Sequence, residues 1–114
     1  MTRLLLVEDD VSNRLTLSVL LEELGFEVTE APTYEDAERF LRAQPFDAVV
    51  LDRGLGGRDG IELAPIARAS RNTTRVVVLS GSDAMTSSSP HVDAWVMKGG
   101  GVLGLLDALR PPKQ

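Results

Sequence analysis

The sequence predicts a doubly wound α/β fold, a parallel sheet of five strands with helices on both faces. Short uninterrupted apolar runs recur along the chain, the pattern of strands buried on both faces of a sheet. Segments with apolar residues at helical spacing lie between them, as right-handed crossovers require. Four of the five runs stop abruptly on polar or charged side chains, at Glu8-Asp9, Asp52, Ser80 and Lys98.

The elements follow in order. Leu4-Leu5-Leu6-Val7 is the first strand, ending at Glu8-Asp9-Asp10. From Ser12 to Leu24 the residues Leu17, Leu20, Leu21 and Leu24 form the stripe of an amphipathic helix, and Gly25 stands where a C-terminal cap belongs. Glu27 to Ala31 is a short second strand. Thr33-Tyr34-Glu35-Asp36 resembles a capping box, and it opens a helix through Ala37, Phe40 and Leu41 that Pro45 closes.

Asp47 to Leu51 is the third strand. The following "RGLGGRDG" reads as a loop, because four glycines in eight residues disfavour either regular element. A helix over about Ile61 to Ala69 comes next, and Pro65 predicts that it starts late or kinks. Arg75 to Leu79 and Asp93 to Met97 are the fourth and fifth strands, and Val102 to Leu109 is a last helix stopped by Pro111-Pro112. Between these strands Ser80 to Asp93 is rich in Ser, Asp and Pro, which predicts a helix of at most one or two turns.

Totals narrow the function. The 114 residues make one domain, 1–114, with 43% hydrophobic and 25% charged residues, ordinary globular values. The longest apolar runs fall far short of the about 20 residues that span a bilayer, and acids stand where a signal peptide would stay apolar, so the expectation is a cytoplasmic protein without membrane contact. A net charge of −5 argues against direct nucleic-acid binding. With no cysteine, a site must use oxygen and nitrogen groups.

Parallel strands point one way, so their polar ends collect at one edge, where open α/β sheets bind ligands. Glu8, Asp9 and Asp52 would repel one another and raise their pKa values unless a cation sat among them. All-oxygen ligation with open positions suits Mg²⁺, which keeps waters and accepts phosphate oxygens. Lys98 adds a charge and Ser80 a hydroxyl, a set suited to a phosphoryl group, with Asp52 as its acceptor in an acyl phosphate.

At this point the chain resembles the receiver domains of two-component response regulators, over essentially its whole length. The segments "LLVEDD", "VVLD", "LSG" and "WVMK" stand in that family's order and near its spacing. The resemblance implies the flavodoxin-like strand order 2-1-3-4-5, and it implies Mg²⁺ held by Glu8, Asp9, Asp52 and the backbone carbonyl of Gly54, with Asp9 the more direct metal ligand of the acidic pair. It makes Asp52 the phosphorylated aspartate, Lys98 the phosphate-contacting lysine, Ser80 the switch hydroxyl and Trp95 the aromatic switch. Asp10 is left to cap the first helix. A histidine kinase or phosphotransfer protein would supply the phosphoryl group, and a downstream protein would read the switched face formed by the fourth helix, fifth strand and last helix.

The sequence also departs from that pattern. Leu55-Gly56 stands where many members have Met-Pro, while Asp59-Gly60 keeps its register. Gly99 replaces a proline after Lys98, and the region of the fourth helix is shortened. The chemistry is therefore expected to be intact and the output surface altered, which keeps alive a receiver-like adaptor that works without phosphorylation. With no output segment in view, the chain would act by protein contact or be a piece of a longer one.

"GGGVLG", Gly99 to Gly104, matches a dinucleotide fingerprint, but no strand or distal acid follows it. His91 sits in a polar loop and is expected to face solvent, as Arg53 is at the loop rim. An aspartate-nucleophile hydrolase would carry a second acid two residues after Asp52, where this chain has Gly54, so no enzyme is expected.

Overall fold

The computed structural model of the chain describes residues 2–80, 90–97 and 102–109, the side chains of 102 and 103 excepted. Its elements in chain order are β1 (Thr2–Val7), α1 (Val11–Glu23), β2 (Phe26–Ala31), α2 (Tyr34–Ala43), β3 (Ala48–Asp52), β4 (Gly54–Leu55) and β5 (Arg58–Asp59). A 3₁₀ turn (Gly60–Leu63), α3 (Ala64–Ser70), β6 (Arg75–Ser80), β7 (Ala94–Met97) and α4 (Val102–Leu109) complete them. The main sheet is wholly parallel in the order β2-β1-β3-β6-β7. Leaving out the two-residue strands β4 and β5, this is the expected 2-1-3-4-5 order.

Strand alternation divides the core. Leu5, Val7, Val49, Leu51, Val76 and Val78 face α2 and α3, packing with Tyr34, Ala37, Leu41, Ala64 and Ala67. Leu4, Leu6, Ala48, Val50, Val77 and Leu79 face the other way, onto Leu21 of α1 and Leu105, Ala108 and Leu109 of α4. Both faces of the sheet are therefore dry, which is why its strands read as continuous apolar runs.

Caps explain most boundaries. The Asp10 carboxylate accepts from the Asn13 amide at 3.0 Å and starts α1, and the Thr33 hydroxyl accepts from the Asp36 amide at 3.1 Å and starts α2. Gly25, at φ 100°, takes the chain out of α1 in a conformation that a side chain would strain. Pro65 lies in the first turn of α3, where its missing N–H breaks no helical bond, so the helix begins late at Ala64 behind the 3₁₀ turn.

Three expectations need correction here. "RGLGGRDG" is not only loop, because Gly54 pairs with Asp59 and Leu55 with Arg58 in a small antiparallel hairpin. Gly56 (φ 56°) and Gly57 (φ 92°) supply the two positive-φ positions that a tight two-residue turn demands, so the glycines there build the hairpin. The stripe expected for α1 holds at Leu21 and Leu17, which pack on the sheet, but not at Leu24. Leu24 is exposed, Leu17 and Leu20 are half-buried, and Ser18 is buried, with its hydroxyl donating to Glu30 Oε2 at 3.4 Å. Val11, Leu15 and Val19 stand exposed, so α1 carries apolar residues all round and its inward side is set by packing. His91 is half-buried where solvent exposure was expected.

Two aspartates close the amino-terminal edge of the sheet. Asp47 Oδ2 accepts from the Arg3 amide at 2.8 Å, and its Oδ1 pairs with Arg71 at 2.9 Å. Its own N–H donates to Arg3 O, and its carbonyl accepts from the Arg75 amide. Asp93 Oδ2 accepts from the Val76 amide at 2.7 Å and pairs with Arg68, while its Oδ1 lies 3.8 Å from Arg75. A carboxylate with amide and arginine donors is satisfied at low cost.

Tyr34 gives the core a pH dependence. Burial pushes its phenol above the ordinary value of 10.0, and the Arg58 guanidinium, 3.6 Å over the ring centroid, opposes that rise. A group whose folded-state value is raised contributes stability that is intact below its unfolded value and lost as pH climbs through the folded one. The wild-type urea midpoint is therefore expected to fall above about pH 10, and Tyr34→Phe should flatten that fall; parallel curves for the two proteins would contradict the assignment.

Candidate functional site

The carboxyl-terminal edge gathers the acids through strand register. Val7 pairs with Leu51, and Glu8 continues the ladder by donating its amide to Ala31 O at 3.2 Å. One residue beyond that pair, alternation puts Glu8 and Asp52 on the same face of neighbouring strands. Both are buried, at 1% and 2% exposure, and Asp9 beside them is exposed. A carboxylate oxygen from each of the three lies within 4.8 Å of the others.

Local bonds fix these groups. The Gly54 amide donates to Asp52 Oδ1 at 3.1 Å, so the loop turns back onto the carboxylate. The Asp10 amide donates to Glu8 Oε1 at 3.3 Å. Arg14 reaches this end of the sheet, but it donates to the backbone carbonyl of Glu8 at 3.1 Å and to Glu30 Oε1 at 3.2 Å. Two buried carboxylates and an exposed one crowded together are costly without a cation.

The donor set suits a hard cation. It is all oxygen, and its span is close to the about 4.2 Å that separates oxygens on opposite sides of one Mg²⁺. Two of its members are buried and prearranged, and the exposed Asp9 leaves an open side. Glu8, Asp9 and Asp52 therefore fit a small divalent ion with room for further oxygens.

The remaining expected residues divide. Ser80 is fully buried at the end of β6, one residue past the Leu79 that pairs with Asp52. Trp95 lies on β7 opposite Val78, half-buried against the α2/α3 side of the core. Gly54 enters through its amide, which donates to Asp52. Lys98 lies outside the described residues, as do Gly99 and the segment 81–89 on which the shortened helix was expected.

Two residues were missed. Arg53 was placed at the outer rim, yet its Nε donates to Asp59 Oδ2 at 3.2 Å and its guanidinium carbon lies 6.0 Å from the centroid of the Trp95 ring. Alternation from Asp52 already turned it to the Trp95 face, and that signal was in the sequence. Gly60 is buried against β3, where a Cβ would stand 2.2 Å from the Asp52 carbonyl oxygen. Only the spacing of Asp59-Gly60 hinted at this.

A parallel five-stranded sheet in this order, with an acidic cluster at its carboxyl edge, defines a doubly wound α/β domain of flavodoxin-like order whose site lies at the strands' carboxyl ends. The chain belongs to the response regulator receiver domain family, whose model matches residues 4–97. It is 36% identical over 78 residues to the transcriptional regulatory protein FixJ of Bradyrhizobium diazoefficiens, an alignment covering 66% of this chain and 37% of FixJ. The chain thus spans about a third of the length of this relative.

Solved structures agree in fold. A response regulator from Burkholderia pseudomallei, with a phosphorylated aspartic acid, calcium ion and citrate, matches with TM-score 0.85 and 25% identity over 96% of this chain and 67% of that one. TrrA from Thermotoga maritima, in complex with Mg²⁺ and BeF, matches with TM-score 0.82 and 26% identity over 96% of this chain and 100% of that one. TrrA is also solved in complex with the histidine kinase ThkA; that structure matches with TM-score 0.81 and 28% identity over 94% of each chain.

Proposed function

We propose that this chain is a phosphorylation-controlled receiver in which Asp52 accepts a phosphoryl group from the phosphohistidine of a histidine kinase or phosphotransfer protein. The observation that carries this reading is the triad itself, with Asp52 and Glu8 buried and an oxygen of each within 4.8 Å of Asp9. The described likeness to TrrA, solved with Mg²⁺ and BeF and with a histidine kinase, supports it.

In the proposed step an oxygen of Asp52 bonds to phosphorus as the bond from phosphorus to the donor's imidazole nitrogen breaks; the electron pair stays on that nitrogen, and the proton on the donor's other ring nitrogen makes the leaving group a neutral imidazole, beside the new acyl phosphate. The Gly54 amide holds Asp52 Oδ1 and so sets the direction of the carboxylate. Mg²⁺, held by Glu8, Asp9, Asp52 and the Gly54 carbonyl, would supply charge neutralisation for carboxylate and phosphoryl oxygens. Lys98 would pair with the phosphoryl group, and the Ser80 hydroxyl would donate to it. Trp95 then changes its packing, and a downstream protein reads the result. No turnover of an external substrate belongs to this reading.

A cytoplasmic setting goes with the proposal, and among the described residues no helix is long and apolar enough to cross a membrane. Direct nucleic-acid contact forms no part of it.

The test is phosphorylation of the purified chain by acetyl phosphate with Mg²⁺, followed by mass mapping. The phosphate mass is expected on the peptide holding Asp52, absent with a chelator and absent in Asp52→Asn. An unmodified Asp52 would overturn the proposal. If Asp52→Asn left cellular output and partner binding unchanged, the adaptor reading would replace it.

A further inference from the structure

We infer that Arg53 is a positioning residue, a cationic latch that holds the Trp95 indole in the resting state and gives it up when charge is added at Asp52. The inference rests on the proposed phosphorylation of Asp52. It concerns how that event reaches β7.

The backbone of Arg53 is fixed on both sides. Its amide donates to Leu79 O at 3.1 Å, and its carbonyl accepts from the Gly60 amide at 2.8 Å. Movement is left to the side chain. That side chain lies between Asp59, at 3.2 Å, and the Trp95 ring, 6.0 Å from its centroid. An indole is the aromatic ring that binds a cation best, and Arg is the cation most often found over one.

Asp59 is itself anchored, since its Oδ1 accepts from the Ile61 amide at 3.0 Å and caps the 3₁₀ turn. The latch therefore joins three elements: the end of β3, the turn after β5, and β7. Trp95 is half-buried against the core, so the guanidinium covers one side of the ring while the core covers another.

Phosphorylation would turn the single negative charge of Asp52 into about −2 on the residue next to Arg53. The fixed charge of the guanidinium is then drawn by Coulomb attraction toward a stronger anion on the adjacent residue. That attraction weakens its hold on the ring. The indole, once uncovered, is free to repack.

Trp95 is the single tryptophan, so its emission reports this event alone when tyrosine is not excited. The experiment compares the full wild-type chain with Arg53→Met and Arg53→Lys, before and after beryllofluoride with Mg²⁺, reading emission wavelength and quenching by acrylamide. Wild type is expected to shift on beryllofluoride. Arg53→Met should start at the shifted position and lose at least half of the further change, while acetyl phosphate still adds its mass to Asp52. Arg53→Lys, which keeps the cation, should restore most of the response.

A wild-type response in Arg53→Met, or a Lys variant no better than Met, would sink the latch. In either case Asp52 would still be phosphorylated, which separates this failure from failure of the proposed function. There the wild type itself would gain no phosphate, and the latch would fall with it.

Discussion

Asp52→Asn, which cannot accept a phosphoryl group, is expected to leave the metal-free protein more stable than the wild type. Two carboxylates are buried within 4.8 Å of each other and of Asp9, and replacing one by an amide removes two repulsive pairs. At an effective dielectric constant near 20 the gain is on the order of 1 kcal/mol or more. The amide oxygen can still accept the Gly54 N–H. Urea unfolding in the presence of a chelator measures the difference. Added Mg²⁺ should raise the wild-type midpoint by mass action and move the variant far less. A variant less stable than wild type without metal would show that the cluster is not strained.

Gly60→Ala is the other substitution with a large expected effect. Its Cβ would meet the Asp52 carbonyl oxygen at 2.2 Å and both the Asp52 carbonyl carbon and Leu55 Cδ1 at 3.2 Å. Backbone cannot rotate away as a flexible side chain can, so either the 3₁₀ turn or the end of β3 must move. Overpacking of this kind costs about 1 to 3 kcal/mol. The displaced Asp52 should also take up phosphate about tenfold more slowly or worse. Gly54→Ala is the control, because a Cβ there meets no heavy atom within 4 Å. Equal urea midpoints for Gly60→Ala and wild type would contradict the packing described.

Much of this was legible in the chain. The central strands announced themselves because both sheet faces are covered there, so Leu4–Val7, Ala48–Leu51 and Val76–Leu79 are apolar at every position. Parallel direction then carried Glu8, Asp9 and Asp52 to one edge without any side-chain detail. The Asp10 and Thr33 caps were equally local, since each acts within three residues.

What escaped depends on tertiary contact or on turn chemistry. Gly56-Gly57 was read as a breaker, although paired positive-φ residues are what a tight hairpin turn requires. The inward side of α1 was read only in part, at Leu17 and Leu21, because Val11, Leu15 and Val19 compete with the leucines and the sheet decides between them. Gly60 is needed for the space beside Asp52, which no local pattern expresses. Arg53 could have been placed by alternation, but a charged residue at a strand end invites the simpler reading of a solvated rim.

The two edges of the sheet use the same residue type in opposite ways. At the amino-terminal edge Asp47 and Asp93 each collect amides and arginines, tying β1, β3 and β6 together. At the other edge Glu8 and Asp52 also accept amides, from Asp10 and Gly54, but they share one acidic cluster with Asp9. Fluctuations that open the domain should therefore begin at the acidic end, with the amides of Arg3 and Val76 among the last to exchange with solvent. The acidic site thus lies at the end that loosens first, while the opposite end keeps the sheet assembled.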